Sequence, residues 1–121
     1  MKKLDSNKLT PEQQSLINDN LTYMATVNED GTPQVGPKGS MIAINDHQLQ
    51  YLEKTKSTAY ENIKRGSKVA VVAADVPSHT AVRVDGTATI HEDDEFAKEI
   101  LANSDTPNAY VVVIDIDEVD A

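Results

Sequence analysis

Cysteine is missing from all 121 positions. Its absence removes disulfides, thiolate metal sites, iron–sulfur clusters and cysteine nucleophiles together, and suits a reducing compartment. Tryptophan is missing too, and one Phe with four Tyr leaves few flat surfaces on which a planar ligand could stack. Apolar runs are short: Val111–Ile114 is far below the roughly 20 residues of a membrane span. Met1–Asp5 carries no apolar stretch of the kind a secretory signal needs, so a cytoplasmic protein without membrane attachment is expected. Basic residues number 11 against 20 acidic, a formal net charge of −9 that repels polyphosphate backbones and disfavours nucleic acid as a partner.

The charge is unevenly distributed. Residues 1–68 carry 9 basic and 8 acidic side chains, residues 69–121 only 2 basic and 12 acidic. An anionic ligand therefore belongs among the lysines of the first half. The length suits a single domain, residues 1–121, large enough to bury one core without a staple.

Thr10-Pro11-Glu12-Gln13 has capping-box spacing with proline at the first helical position, and predicts a short helix ending by Asn18–Asn20. Leu21–Val27 reads as a strand, Asn28–Gly31 as a turn, and a second strand is expected from Pro33 to about Ile44. A third follows over Gln48–Glu53. Ser57–Arg65 has helical spacing and Gly66 stops it. Strands are predicted over Lys68–Ala74 (buried on both faces), Thr80–His91 and Ala109–Val119, with a helix over Asp93–Asn103. Gly86 interrupts the longest strand, where a bend would close a barrel. The pattern is mainly β with small helices: a small six-stranded antiparallel barrel.

Two segments carry candidate chemistry. Lys54-Thr55-Lys56-Ser57-Thr58 joins a strand end to a helix start, where free amides, lysines and hydroxyls suit a phosphate. Taken alone, a simple helix cap is the commoner meaning of such a segment. Gly36-Pro37-Lys38-Gly39-Ser40 is odd for a strand interior; it reads equally as an edge or bulge and as a backbone surface for a flat ligand. It lacks the glycine spacing of a nucleotide loop. His47, His79 and His91 have no partners at metal-ligand spacing, so no metal site is read. Ser40, His79 and Asp75 make a triad only on paper, without a nucleophile elbow.

In order, "LTYMATVNEDGTPQVGP", "SMIAINDHQLQYLEKTKSTAYENIKRGSKVAVVAA" and "AVRVDGTATIHEDDE" resemble the FMN-binding split barrels of the pyridoxamine 5'-phosphate oxidase-like superfamily, especially its short single-domain members. The similarity spans roughly residues 16–119, and its specificity lies in the order and spacing of motifs that are individually loose. The resemblance implies a homodimeric split barrel binding FMN (flavin mononucleotide) at the subunit interface. It implies that Pro37, Lys38, Gly39 and Ser40 run beside the isoalloxazine and ribityl chain, and that Lys56, Ser57 and Thr58 hold the phosphate. One departure is Ala59, where many relatives carry a basic residue; Lys54 or Lys56 would substitute. Asn62 is expected to tie the helix to a neighbouring loop, and Arg83 to meet either the flavin, the partner or solvent. The implied function is an oxidoreductase or electron carrier, reduced by a nicotinamide donor or a redox protein. A C-terminal substrate segment like that of true pyridoxamine phosphate oxidase does not fit within this length, so that reaction is not expected. The alternatives are a non-catalytic flavin module, or a relative binding deazaflavin F420 or haem, the last with His79 or His91 as axial ligand.

Overall fold

The computed structural model describes all 121 residues. Helix α1 (Pro11–Asp19) begins with a complete capping box: the Gln13 amide donates to Thr10 Oγ1 at 3.2 Å, and the Thr10 amide donates to Gln13 Oε1 at 2.9 Å. Strand β1 (Thr22–Val27) alternates, with Thr22, Met24 and Thr26 inward and Tyr23 and Val27 exposed. It pairs antiparallel with β2 (Pro33–Lys38) across a turn where Gly31 takes a φ of 88°, a left-handed value that glycine adopts without strain. β2 is an end strand, which explains how it tolerates two prolines.

The second strand is shorter than the sequence suggests. It stops at Lys38, whose carbonyl accepts the Met41 amide at 3.2 Å in a turn through Gly39 and Ser40. The chain then enters a separate two-residue strand, β3 (Ile42–Ala43), paired with β4 (Gln48–Glu53). The count is therefore seven strands rather than six. Helix α2 (Thr58–Lys64) ends at Gly66 with a φ of 97°. There follow β5 (Val69–Asp75), β6 (Thr80–His91), α3 (Glu95–Leu101) and β7 (Tyr110–Asp120). β5 is not buried on both faces: Val69, Val71 and Ala73 are inward, whereas Ala70 and Val72 are half-buried.

All pairing is antiparallel, in the order β2-β1-β5-β6-β7-β4-β3. The sheet curls into a half-barrel around Ile17, Met24, Leu49, Tyr51, Val71, Val82, Val84, Val112 and Ile114, with α1 contributing Ile17 to its mouth. A second, smaller cluster lies outside, where α3 covers Val111 and Val113 with Ala97 and Leu101. β7 is thus apolar on both faces because both are covered. At Gly86 the β6–β7 register shifts, and a Cβ there would lie 2.5 Å from Ile114 Cγ2 and 2.6 Å from the Asp115 carbonyl oxygen. The bend requires the absence of a side chain.

Candidate functional site

The β2–β3 turn folds back onto the end of β4. The Leu52 amide donates to Ser40 Oγ at 2.9 Å, which fixes the hydroxyl oxygen and leaves its proton free to donate elsewhere. This contact brings residues 37–40 against residues 52–55, and together they line a cavity of about 260 Å³. Its walls are Pro37, Lys38, Gly39 and Ser40 on one side and Leu52, Glu53, Lys54 and Thr55 on the other. A Cβ built on Gly39 meets nothing within 4 Å, so this wall is open to a ligand.

Glu53 lines the cavity and is only 2% exposed. Its Oε2 accepts the Lys56 amide at 3.0 Å and the Thr55 hydroxyl at 3.4 Å. Its Oε1 accepts the Tyr51 hydroxyl at 3.3 Å and faces Lys38 Nζ at 3.8 Å. Burial, then the Glu53 carboxylate beside it, pushes the Tyr51 phenol far above its ordinary pKa, so it stays protonated as a donor. The carboxylate also stabilises an unusual backbone. Lys56 has a φ of 52°, a conformation that costs a non-glycine residue about 1–2 kcal/mol, and the Glu53 hydrogen bond to its amide offsets part of that cost.

The Lys56 side chain leads away from the cavity. Its Nζ donates to the Asn108 carbonyl at 2.8 Å and lies 3.9 Å from the Tyr110 ring centroid, a cation–π contact that holds it against the start of β7. Ser57 precedes α2 but makes no capping bond; its hydroxyl lies 3.4 Å from that of Thr55. Thr58 opens α2, and Lys56, Ser57 and Thr58 flank the cavity in sequence without lining it. Ala59, 8% exposed, packs into the core and does not line the cavity.

The family model described as pyridoxamine 5'-phosphate oxidase matches residues 9–121. The chain belongs to this family. A crystal structure of a candidate pyridoxamine 5'-phosphate oxidase from Lactobacillus delbrueckii is 66% identical, covers both chains completely and superposes with a TM-score of 0.98. HupZ of Group A Streptococcus is 30% identical over 92% of this chain and 91% of its own, with a TM-score of 0.79. An FMN-binding protein from Syntrophomonas wolfei shares the fold at 20% identity, with a TM-score of 0.71 over 89% of this chain and 82% of its own. Among curated proteins nothing matches.

Within this family member, sequence reasoning singled out residues 37–40 of one cavity wall and Lys54 and Thr55 of the other, while Lys56, Ser57 and Thr58 lie beyond the lining. It missed Glu53 and Tyr51. The signal was present: Leu49, Tyr51 and Glu53 alternate on the inward face of β4, which carries the acid into the interior. Asn62 acts as expected, its amide donating to Thr26 Oγ1 and Asn28 Oδ1, each at 2.9 Å, and so joining α2 to the β1–β2 hairpin. Arg83 pairs with Asp120 at 3.0 Å on the outer face of the sheet. There Asp85, Glu118 and Asp120 bring carboxylate oxygens within 4.8 Å of one another, with Arg83 and Lys3 as counter-charges. His79 lies exposed in the β5–β6 turn; His91 donates to Asp94 at 2.7 Å and leans on Phe96. Neither histidine lines the cavity. No helix is long and apolar enough to cross a membrane.

Proposed function

We propose that this protein is an FMN-binding flavoprotein, an oxidoreductase or electron carrier, working as a homodimer with flavin held between subunits. The observation that carries the proposal is the convergence of residues 37–40 and 52–55 on one cavity. It offers what a phosphorylated flat ligand needs: an open glycine wall, two ammonium groups (Lys38 and Lys54), and the hydroxyls of Ser40 and Thr55. Flavin would supply hydride or single-electron exchange, which no side chain here can perform. The chain's own groups would orient it: the Ser40 proton is free to donate, Lys38 and Lys54 neutralise phosphate charge, and the Ser57 and Thr58 hydroxyls follow in the adjoining loop, with Lys56 joining them only if it leaves Asn108.

A second copy is supported by the outer face of the sheet. Directly opposed residues of an antiparallel pair point the same way, so Tyr23, Ala25 and Val27 share a face with Pro37, Val35 and Pro33. Val35 is 66% exposed, Val27 49% and Tyr23 45%, and Ala70 and Val72 continue the strip across β5. A contiguous apolar surface of this kind marks an interface. The cavity borders this face through Pro37, so a partner would add walls that one chain does not supply.

The test is titration of the purified protein with FMN and riboflavin, followed by flavin fluorescence, with light scattering for mass. FMN bound more tightly than riboflavin by a protein of twice the 13.2 kDa chain mass supports the reading. Absence of flavin binding overturns it. The cavity has no aromatic lining, and its one carboxylate, Glu53, is held by Tyr51, Thr55 and the Lys56 amide, which favours carrier or binding roles over substrate chemistry on protein groups. Bleaching of bound flavin by NADH or NADPH separates a reductase from a carrier.

A further inference from the structure

We propose that Glu53 is the resident counter-ion of Lys38, and that competition between Glu53 and an incoming anion for this lysine sets the cavity's preference for phosphorylated ligands. The proposal rests on the flavin reading for its first probe, but its geometry stands independently. Glu53 cannot turn away from the cavity: Oε2 is held by the Lys56 amide and the Thr55 hydroxyl, and Oε1 by Tyr51. A fixed negative charge therefore faces any anion that enters. Lys38 Nζ stands 3.8 Å from Oε1, beyond ordinary hydrogen-bond length, and 5.0 Å from the Tyr51 ring centroid. It is attracted but not saturated. Only 18% of the Lys38 side chain is exposed, so this pairing is screened less than a surface ion pair. A phosphate reaching this wall would draw Lys38 from Glu53 while being repelled by Glu53, whereas an uncharged ligand would do neither. Of the other cations nearby, Lys56 is committed to Asn108 and Tyr110, and Lys54 lines the cavity without a salt bridge, so Lys38–Glu53 is the one ion pair that an entering anion would disturb.

The experiment compares FMN and riboflavin affinities for the wild-type chain, Glu53→Gln, Lys38→Gln and the double variant. Glutamine keeps an oxygen that accepts the Lys56 amide, so the loop retains its anchor while the charge goes. Glu53→Gln is expected to tighten FMN about tenfold relative to riboflavin, and most of that gain should vanish once Lys38 is also replaced. A purely structural Glu53 would alter both flavins equally; that result, or a gain undiminished without Lys38, overturns the proposal. If Glu53→Gln does not fold, Lys38→Gln decides alone. It leaves Glu53 uncompensated and should weaken FMN at least tenfold more than riboflavin, and equal loss refutes the idea. Inorganic pyrophosphate, titrated by isothermal calorimetry, is the second probe. Tighter pyrophosphate binding by Glu53→Gln upholds the counter-ion role even where wild-type protein takes neither flavin, so the two readings fail separately. No gain with either probe sinks this one.

Discussion

Replacing Gly86 with alanine is the sharpest test of the fold as described. The new methyl would lie 2.5 Å from Ile114 Cγ2 and 2.6 Å from the Asp115 carbonyl oxygen, nearly an ångström inside ordinary contact with each. Ile114 is fully buried in the core, and the Asp115 carbonyl belongs to the strand paired with β6, so neither neighbour is a flexible side-chain tip. Gly86 does not have a left-handed φ, so the penalty is steric and not conformational. Overpacking of this kind costs about 1–3 kcal/mol, and contact with rigid backbone puts Gly86→Ala at the upper end, about 3 kcal/mol. For a domain of this size that lowers Tm by roughly 10 °C. Urea unfolding followed by circular dichroism gives the value, with Gly36→Ala as the control because a Cβ there meets nothing within 4 Å. The control should stay within about 0.5 kcal/mol of wild type. A Gly86→Ala loss no larger than the control's would refute the close approach of β6 to β7 and the bend built on it.

Tyr51 predicts an alkaline signature. Its folded pKa is raised, so above pH ~10 the unfolded chain loses a proton that the folded chain keeps, and stability falls by about 1.4 kcal/mol per pH unit from this group. Tyr51→Phe should flatten that part of the pH–stability curve; parallel curves would show the phenol is not shielded. Asn62→Ala removes three hydrogen bonds from a residue 1% exposed, two joining it to the hairpin and one accepted from Arg65, and is expected to cost about 2–3 kcal/mol in urea unfolding, with retention of wild-type stability counting against the link between α2 and the hairpin. Thr10→Ala dismantles the capping box and should cost about 1 kcal/mol, measured in the same way; a change of a tenth or two would mean that tertiary packing alone holds α1.

Where local chemistry decided the outcome, the sequence was legible. The capping box at Thr10, the glycine turns at 31 and 66, and the strands β4 and β6 all appear with bounds close to expectation, because each is set by residues within a few positions. The break at Gly39-Ser40 was not legible as a strand end. It depends on the Leu52 amide, which reaches Ser40 from 12 positions away. The same holds for the site. Lys56 carries the right chemistry in the right place along the chain, yet its ammonium is claimed by the Asn108 carbonyl 52 positions on. Glu53 reads along the chain only as the last residue of the strand Gln48–Glu53; its place on the inward face of the curled sheet encloses it.

The two prolines of β2 have a consequence for how the molecule avoids uncontrolled assembly. On an end strand, proline sits where its nitrogen faces away from the neighbour, so residues 33, 35 and 37 direct their backbone nitrogens toward the unpaired rim. Of those three, Val35 alone can donate. A stray strand meeting that rim would find one donor where an uninterrupted β-strand would present three, which blunts runaway stacking of chains while leaving the flat side of the sheet available for a single, self-limiting embrace.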